Sequence, residues 1–160
     1  MPSESVRQVA RIILLDQAGN VLLVRYADIE PMDPNVEGPL TYWVPPGGAL
    51  DQGENHRSAA RRELKEETGI TTEIGPWLWE SKNILRFKGK LITQQERFYL
   101  ARLESVTPPV SNLSPEAIVE HRWWSLPELQ LASAIFFPEG FVMLVAPIIS
   151  GQLPPAPLQI

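Results

Sequence analysis

An α+β fold, layered as an α/β/α sandwich, is what this sequence predicts, on three observations. Two runs rich in β-branched and aliphatic residues, Val6 to Leu15 and Val21 to Tyr26, flank the turn signal Asp16-Gln-Ala-Gly-Asn20. A segment bounded by Asn55 and Gly69 reads as one helix. Strand-like alternation then returns, and two further helical stretches close the chain. Strands and helices mixed in this order suit layers around a single core. No repeat or boundary interrupts residues 1–160, so one domain is expected, with its core over about 6–150.

Each element has a local reason. The two opening runs are strands joined by a short turn. Asp28 to Leu40 carries three prolines and a glycine and is expected to be a loop. Tyr42-Trp43-Val44 is a short strand stopped by Pro45-Pro46-Gly47-Gly48. Asn55 is the N-cap of a helix running to about Thr68, with Gly69 as its C′ residue. Ala60 and Leu64, one turn apart, form its buried stripe. Trp77 and Trp79 are placed on one face, and Ile84 to Phe87 and Leu91 to Leu103 are strands around Lys88-Gly89-Lys90. Glu104 to Glu120 is a polar loop, and Arg122-Trp123-Trp124 a last short strand. Ser125 with Pro127 opens a short helix. Phe141 to Ser150 is a C-terminal helix with a break expected near Pro147, and the proline-bearing Gln152 to Ile160 an extended tail.

Composition narrows the function. Hydrophobic content of 44% and charged content of 21% are ordinary for a globular protein. A net charge of −5 speaks against a nucleic-acid polymer as partner, which would want a basic stripe. It leaves a small phosphorylated ligand open, because metal ions bridge acidic sites to phosphates. Without cysteine there is no disulfide framework, thiolate zinc site or cysteine nucleophile. His56 and His121 are too few and too far apart to suggest zinc. The N-terminal residues lack a signal-peptide layout, and the longest apolar stretch, Phe141 to Ile149, is far short of a membrane span. The expectation is a cytoplasmic protein with no membrane partner.

The most informative stretch is Gly48 to Ile70, GALDQGENHRSAARRELKEETGI. Glu63, Glu66 and Glu67 have the i, i+3, i+4 spacing that gathers side chains on one helix face. Like charges so placed repel, and they lie near a helix C-terminus, where the macrodipole disfavours anions. A hard divalent cation with oxygen ligands would compensate them. With its spacing the segment is G-x5-E-x7-R-E-U-x-E-E-x-G-U, where U is aliphatic, filled by Gly48, Glu54, Arg62, Glu63, Leu64, Glu66, Glu67, Gly69 and Ile70. At average residue usage such a pattern arises by chance on the order of once in 10⁹ windows.

This pattern resembles the signature of the Nudix hydrolases, of the MutT-like kind, and most of Val6 to Ser150 is similar to what that family shows. The resemblance implies a mixed β-sheet between helices and cleavage of a pyrophosphate in nucleoside diphosphate derivatives with Mg²⁺ or Mn²⁺. It implies that Glu63, Glu66 and Glu67 hold the metal and that a glycine carbonyl, Gly47 or Gly48, joins them. Metals so held neutralise phosphate oxygens and acidify a bound water. Arg62 cannot ligate a metal but lies one turn from Glu66 and can orient a carboxylate. Two roles stay open for Glu54: a ligand through water, or a tie between loop and helix. The catalytic group is thus Glu63, Arg62 and Glu66, with the general base either Glu63 or a loop carboxylate, Glu116 before Glu120.

Arg25, at the end of the second strand, stands where the family often places a phosphate-contacting arginine; a surface charge is the alternative. Tyr42 and Trp43 are candidates to stack on a nucleobase, or are core. Trp77, Trp79 and Trp123 are read as core or as the interface of a possible homodimer, and His56 as an ordinary helix residue. The proline that ADP-ribose pyrophosphatases carry beyond the signature is replaced by Leu85 and Arg86, and the tyrosine of dinucleoside polyphosphate hydrolases by Phe87. NADH-type and coenzyme A-type motifs are absent. A small nucleotide of the (d)NTP type is therefore the expected substrate, with the 28–40 loop lining or covering its pocket. A Nudix-like sensor that binds nucleotide without turnover is the alternative of another class.

Overall fold

The computed structural model describes residues 6–26, 34–35, 37, 42–104 and 118–160. Strands β1 (Val6–Leu15) and β2 (Val21–Tyr26) meet across the tight turn, with Leu15 opposite Val21. The Asp16 carboxylate accepts from the Ala18 and Asn20 amides and so closes that turn. Tyr42–Val44 is β3, and a strand absent from the sequence reading follows, β4 (Gly47–Ala49), antiparallel to β1. Pro45 and Pro46 carry no amide hydrogen and pointed to a plain stop, yet two glycines beyond them re-enter the sheet.

Helix α1 (His56–Thr68) has the expected ends: the Asn55 side chain accepts from the Ser58 amide, and Gly69 takes a left-handed φ of 76°. Ala60 and Leu64 are buried as expected, joined by Ala59, Glu67 and Thr68. Beyond it, β5 (Trp77–Phe87) and β6 (Lys90–Arg102) form one long hairpin, so the Trp77 region and Ile84 to Phe87 are a single strand. A bulge lies between Trp77, opposite Tyr99, and Trp79, opposite Phe98. The two tryptophans therefore do not share a face: Trp77 packs with one core and Trp79 with the other.

The strand expected at Arg122, β7 (Ile118–Trp124), starts four residues earlier, so Glu120 lies in a strand and not in a loop. Ser125 caps α2 (Leu126–Leu131) in a full capping box with Glu128. The two-residue β8 (Ile135–Phe136) runs parallel to β3. Helix α3 (Phe141–Ile149) continues through Pro147 without breaking there. The tail, expected to be merely extended, adds β9 (Leu158–Gln159) parallel to β5.

The strands form one mixed sheet, β8-β3-β2-β1-β6-β5-β9, with β4 on β1 and β7 on β2. On one face Ala10, Ile12, Leu14 and Leu22 meet Ala59, Ala60 and Leu64 of α1. On the other, Ile13, Leu15, Val21 and Leu23 meet Leu129, Phe141, Val145 and Ile148 of α2 and α3. Covered on both faces, β1 loses the polar–apolar alternation of a surface strand and reads as a continuous apolar run. From Val9 to Leu15 that run is broken once, at the buried Arg11. Among the described residues no helix is long and apolar enough to cross a membrane.

Candidate active site

β4 lies under the C-terminal half of α1, and two contacts set their separation. The Gly47 amide donates to Oε2 of Glu67 at 3.3 Å. A Cβ on Gly48 would lie 2.5 Å from the Cδ and Oε1 of Glu63. With the Glu63 carboxylate where it stands, a side chain at Gly48 would push it aside, so a glycine here keeps that carboxylate in place.

Arg62 collects the acidic groups. Its Nε reaches Oε1 and Oε2 of Glu54 at 3.3 and 3.0 Å, and its Nη2 reaches the same Oε1 at 2.9 Å. Nη1 is shared between Glu63 at 2.9 Å and Glu66 at 3.1 Å, and Nη2 also donates to the carbonyl of Ala49 at 3.0 Å. Asp51 adds an ion pair at 3.2 Å. The planar fork of a guanidinium makes such divided pairing possible, where an ammonium would not. Glu54 completes the tie by accepting from the Asp51 amide at 3.0 Å. Of its two open roles, the structure provides the link between loop and helix.

The electrostatics follow from these contacts. The hydrogen bonds from Arg62 hold the Glu54 carboxyl below its usual range, against a smaller effect of burial. Glu54 in turn, as the largest cause, raises the proton affinity of Arg62. Burial pushes the Glu63 carboxyl up; Arg62 opposes this, Glu66 adds to it, and Arg11 pulls the other way. Glu67 is 1% exposed, and the carbonyl of the same residue accepts from Nε2 of His121 at 2.6 Å. A carbonyl only accepts, so that nitrogen carries the hydrogen.

As the side chains stand, no three carboxylate or imidazole groups among the described residues are drawn together as a ligand set, because Glu63 and Glu66 both lean on Arg62. The donors on hand near Gly47 and Gly48 are nevertheless all oxygen: three carboxylates on one helix face and the carbonyls of a glycine pair.

A model of the NUDIX domain matches residues 6–144. The chain belongs to the Nudix hydrolase family. It is 29% identical over 104 residues to an RNA pyrophosphohydrolase of Roseobacter denitrificans, covering 58% of this chain and 64% of that protein. It is 35% identical over 114 residues to Nudix hydrolase 27, chloroplastic, of Arabidopsis thaliana, covering 62% of this chain and 50% of that one. To a bis(5'-nucleosyl)-tetraphosphatase of Caenorhabditis elegans it is 34% identical over 97 residues, with 61% and 66% covered. The chain thus spans about half to two thirds of the length of these relatives. Among solved structures, a MutT protein from Methanosarcina mazei Go1 superposes with TM-score 0.62 at 20% identity, over 90% of this chain and 93% of that one. A C. elegans Ap4A hydrolase binary complex gives 0.62 at 24%, over 91% and 98%. These likenesses show the Nudix fold.

Of the residues expected in this Nudix site, Glu63, Glu66, Glu67, Arg62, Gly47 and Gly48 come together. Glu116 lies outside the described residues, as does the 28–40 loop apart from 34–35 and 37. Arg25 pairs across the sheet with Glu120, Nε to Oε1 at 3.1 Å, and lies 5.9 Å from the centre of the Trp43 ring. Tyr42 and Trp43, candidates for stacking or for the core, are 6% and 7% exposed, and Trp43 sits edge-on to Trp124 at 5.1 Å. His56, an ordinary helix residue as expected, meets Oε1 of Gln8 at 3.2 Å. Three residues near the site escaped the sequence reading: His121, Arg11 and Glu96. A charge set between Val9-Ala10 and Ile12-Ile13 was the available signal for Arg11; Glu96, in the polar run Gln94-Gln95-Glu96-Arg97, carried none.

Proposed function

We propose that this chain hydrolyses a pyrophosphate bond in a nucleotide derivative with the help of Mg²⁺ or Mn²⁺, the substrate being a nucleoside triphosphate or a related nucleotide. One observation carries the reading: Arg62 gathers Glu54, Glu63 and Glu66 beside the Gly47–Gly48 strand while Glu67 accepts from the Gly47 amide of that strand. The donor set fits a hard cation, being oxygen throughout, and a side chain at Gly48 would displace the Glu63 carboxylate. Glu63, Glu66, Glu67 and a carbonyl of Gly47 or Gly48 would hold the ion, which when bound supplies neutralisation of phosphate charge and a more acidic water.

The chain's own groups do the rest. Arg62 orients Glu63 and Glu66 through charge-assisted hydrogen bonds, and a cation has to compete with it for both. Burial strengthens Glu63 as a proton acceptor, and Glu116 is the loop alternative for that role. Arg25 stays the candidate phosphate contact, which requires it to leave Glu120; both ends of that pair are partly exposed. The printed names of the relatives, RNA pyrophosphohydrolase and bis(5'-nucleosyl)-tetraphosphatase, widen the substrates to be tested beyond free triphosphates.

The test is a phosphate- and pyrophosphate-release screen with Mg²⁺. It covers nucleoside triphosphates, dinucleoside polyphosphates, nucleotide sugars and 5′-triphosphorylated RNA, beside Glu67→Gln. Turnover of at least one substrate, lost in Glu67→Gln, is expected. Tight nucleotide binding with no hydrolysis would replace the enzyme by a sensor, and full activity in Glu67→Gln would remove Glu67 from the site.

A further inference from the structure

Behind the glycine strand lies a buried ion pair that the chemistry above does not use. Nη2 of Arg11 on β1 is 3.5 Å from Oε1 of Glu96 on β6, with side chains 8% and 2% exposed. Oε2 of Glu96 has no hydrogen-bond partner among the described residues. Desolvating two charges costs enough that well-packed apolar residues in their place often leave a protein as stable or more so. Stability alone therefore gives little reason for this pair in the middle of an apolar sheet.

Its position gives a reason. Pro45 and Pro46 have no amide hydrogens, so these two residues can be tied by backbone hydrogen bonds only through their carbonyls. Nη1 of Arg11 donates to the carbonyl of Pro45 at 3.2 Å, and the amide of Ile12 to that of Pro46 at 2.9 Å. Arg11 also pairs by backbone with Gly47, whose added Cβ would stand 2.9 Å from the Arg11 Cδ. Glu96 is itself steadied: Gln94 donates to its Oε1, and Arg7 donates to Gln94 at 2.5 Å. A polar chain thus runs from Arg7 across β6 and back through Arg11 to the carbonyl that begins the turn. Gly47 and Gly48, one and two residues past that turn, are what Glu67 and Glu63 touch.

We propose that Arg11 and Glu96 are positioning residues that fix the Pro45–Gly48 turn at the height at which Gly47 and Gly48 meet the acidic face of α1. The inference rests on the hydrolase reading for its effect on turnover, but not for its effect on the turn. The decisive variant is Arg11→Met with Glu96→Leu, which fills the same space without charge. Its denaturation midpoint should match or exceed that of the wild type. Exchange of the Gly47 amide, followed by NMR, should quicken by roughly tenfold or more as its anchor loosens. Mn²⁺ alone, titrated calorimetrically, should bind several-fold more weakly, and kcat should fall by about tenfold to a hundredfold with KM little changed.

A folded double variant with wild-type Gly47 exchange and Mn²⁺ affinity would overturn the inference. If the double variant does not fold, Arg11→Gln with Glu96→Gln serves: it removes both charges and is too short at position 11 to reach the Pro45 carbonyl, and unchanged Gly47 exchange there is equally fatal. If the wild type turns over no nucleotide, the exchange and Mn²⁺ measurements still decide, so the two readings fail separately.

Discussion

Arg62 grips Glu54 with two of its three nitrogens, Nε on both carboxylate oxygens and Nη2 on one, across eight residues of sequence. That grip leaves Nη1 to be divided between Glu63 and Glu66. One side chain therefore closes the 51–54 loop onto α1 and aligns two carboxylates.

Arg62→Lys is the informative replacement, because it keeps the charge and loses the fork. An ammonium cannot span Glu54, Glu63, Glu66 and the Ala49 carbonyl together. We expect kcat to fall on the order of a hundredfold from misplaced carboxylates, with the far-ultraviolet circular dichroism unchanged. Steady-state kinetics near wild type would show that the clamp is ornamental to turnover.

The two glycines should respond differently to alanine. At Gly48 the new methyl meets only the end of the Glu63 side chain, which can swing away for about 1 kcal/mol. Gly48→Ala should fold normally and lose activity. At Gly47 it meets backbone, 2.2 Å from the Ala10 carbonyl and 2.8 Å from the Arg11 Cα. Gly47→Ala should lose about 1–3 kcal/mol or more of stability. Urea melts of the two variants in parallel check the contrast, and equal loss in both would refute it.

Removing divalent ions should stop turnover without unfolding the protein, since both cores close on apolar side chains. EDTA followed by Mg²⁺ should switch activity off and on while the dichroism stays fixed. Activity that survives exhaustive chelation would rule out the divalent-ion reading.

Acid sensitivity should show at the α2 cap. The Glu128 carboxyl is held down to about 2 by the Ser125 amide first and then by Arg122, from an ordinary value of 4.5. A carboxylate depressed on folding contributes stability that is complete above 4.5 and fades as pH falls from there towards 2. The difference in melting temperature between wild type and Glu128→Gln should thus be largest at neutral pH and close as the solution is acidified. A difference that widens in acid would contradict the assignment.

Much of this arrangement was legible in the residues. Asn55, Gly69, Ala60 and Leu64 define α1 by local rules, and the spacing of Glu63, Glu66 and Glu67 gathers them whatever the rest of the chain does. Less legible were features that depend on distant partners. β4 exists because β1 offers Val9 to Arg11 for pairing. The bulge at Trp77 and Trp79 is set by β6, and two aromatic residues two apart look alike with or without it. Trp43 illustrates the same limit: an aromatic strand residue becomes a ligand platform or a core residue according to what packs on it, here Trp124.

The short β9 has a consequence of another kind. By pairing Leu158 and Gln159 with β5, and through the Ile160 amide on the Glu80 carbonyl at 2.9 Å, it occupies the outer hydrogen-bonding rim beside Trp79. An open rim of that sort is a template for a strand from another molecule. Trimming the chain before Leu158 would leave the catalytic face untouched and uncover the rim, so the loss would first register as concentration-dependent self-association.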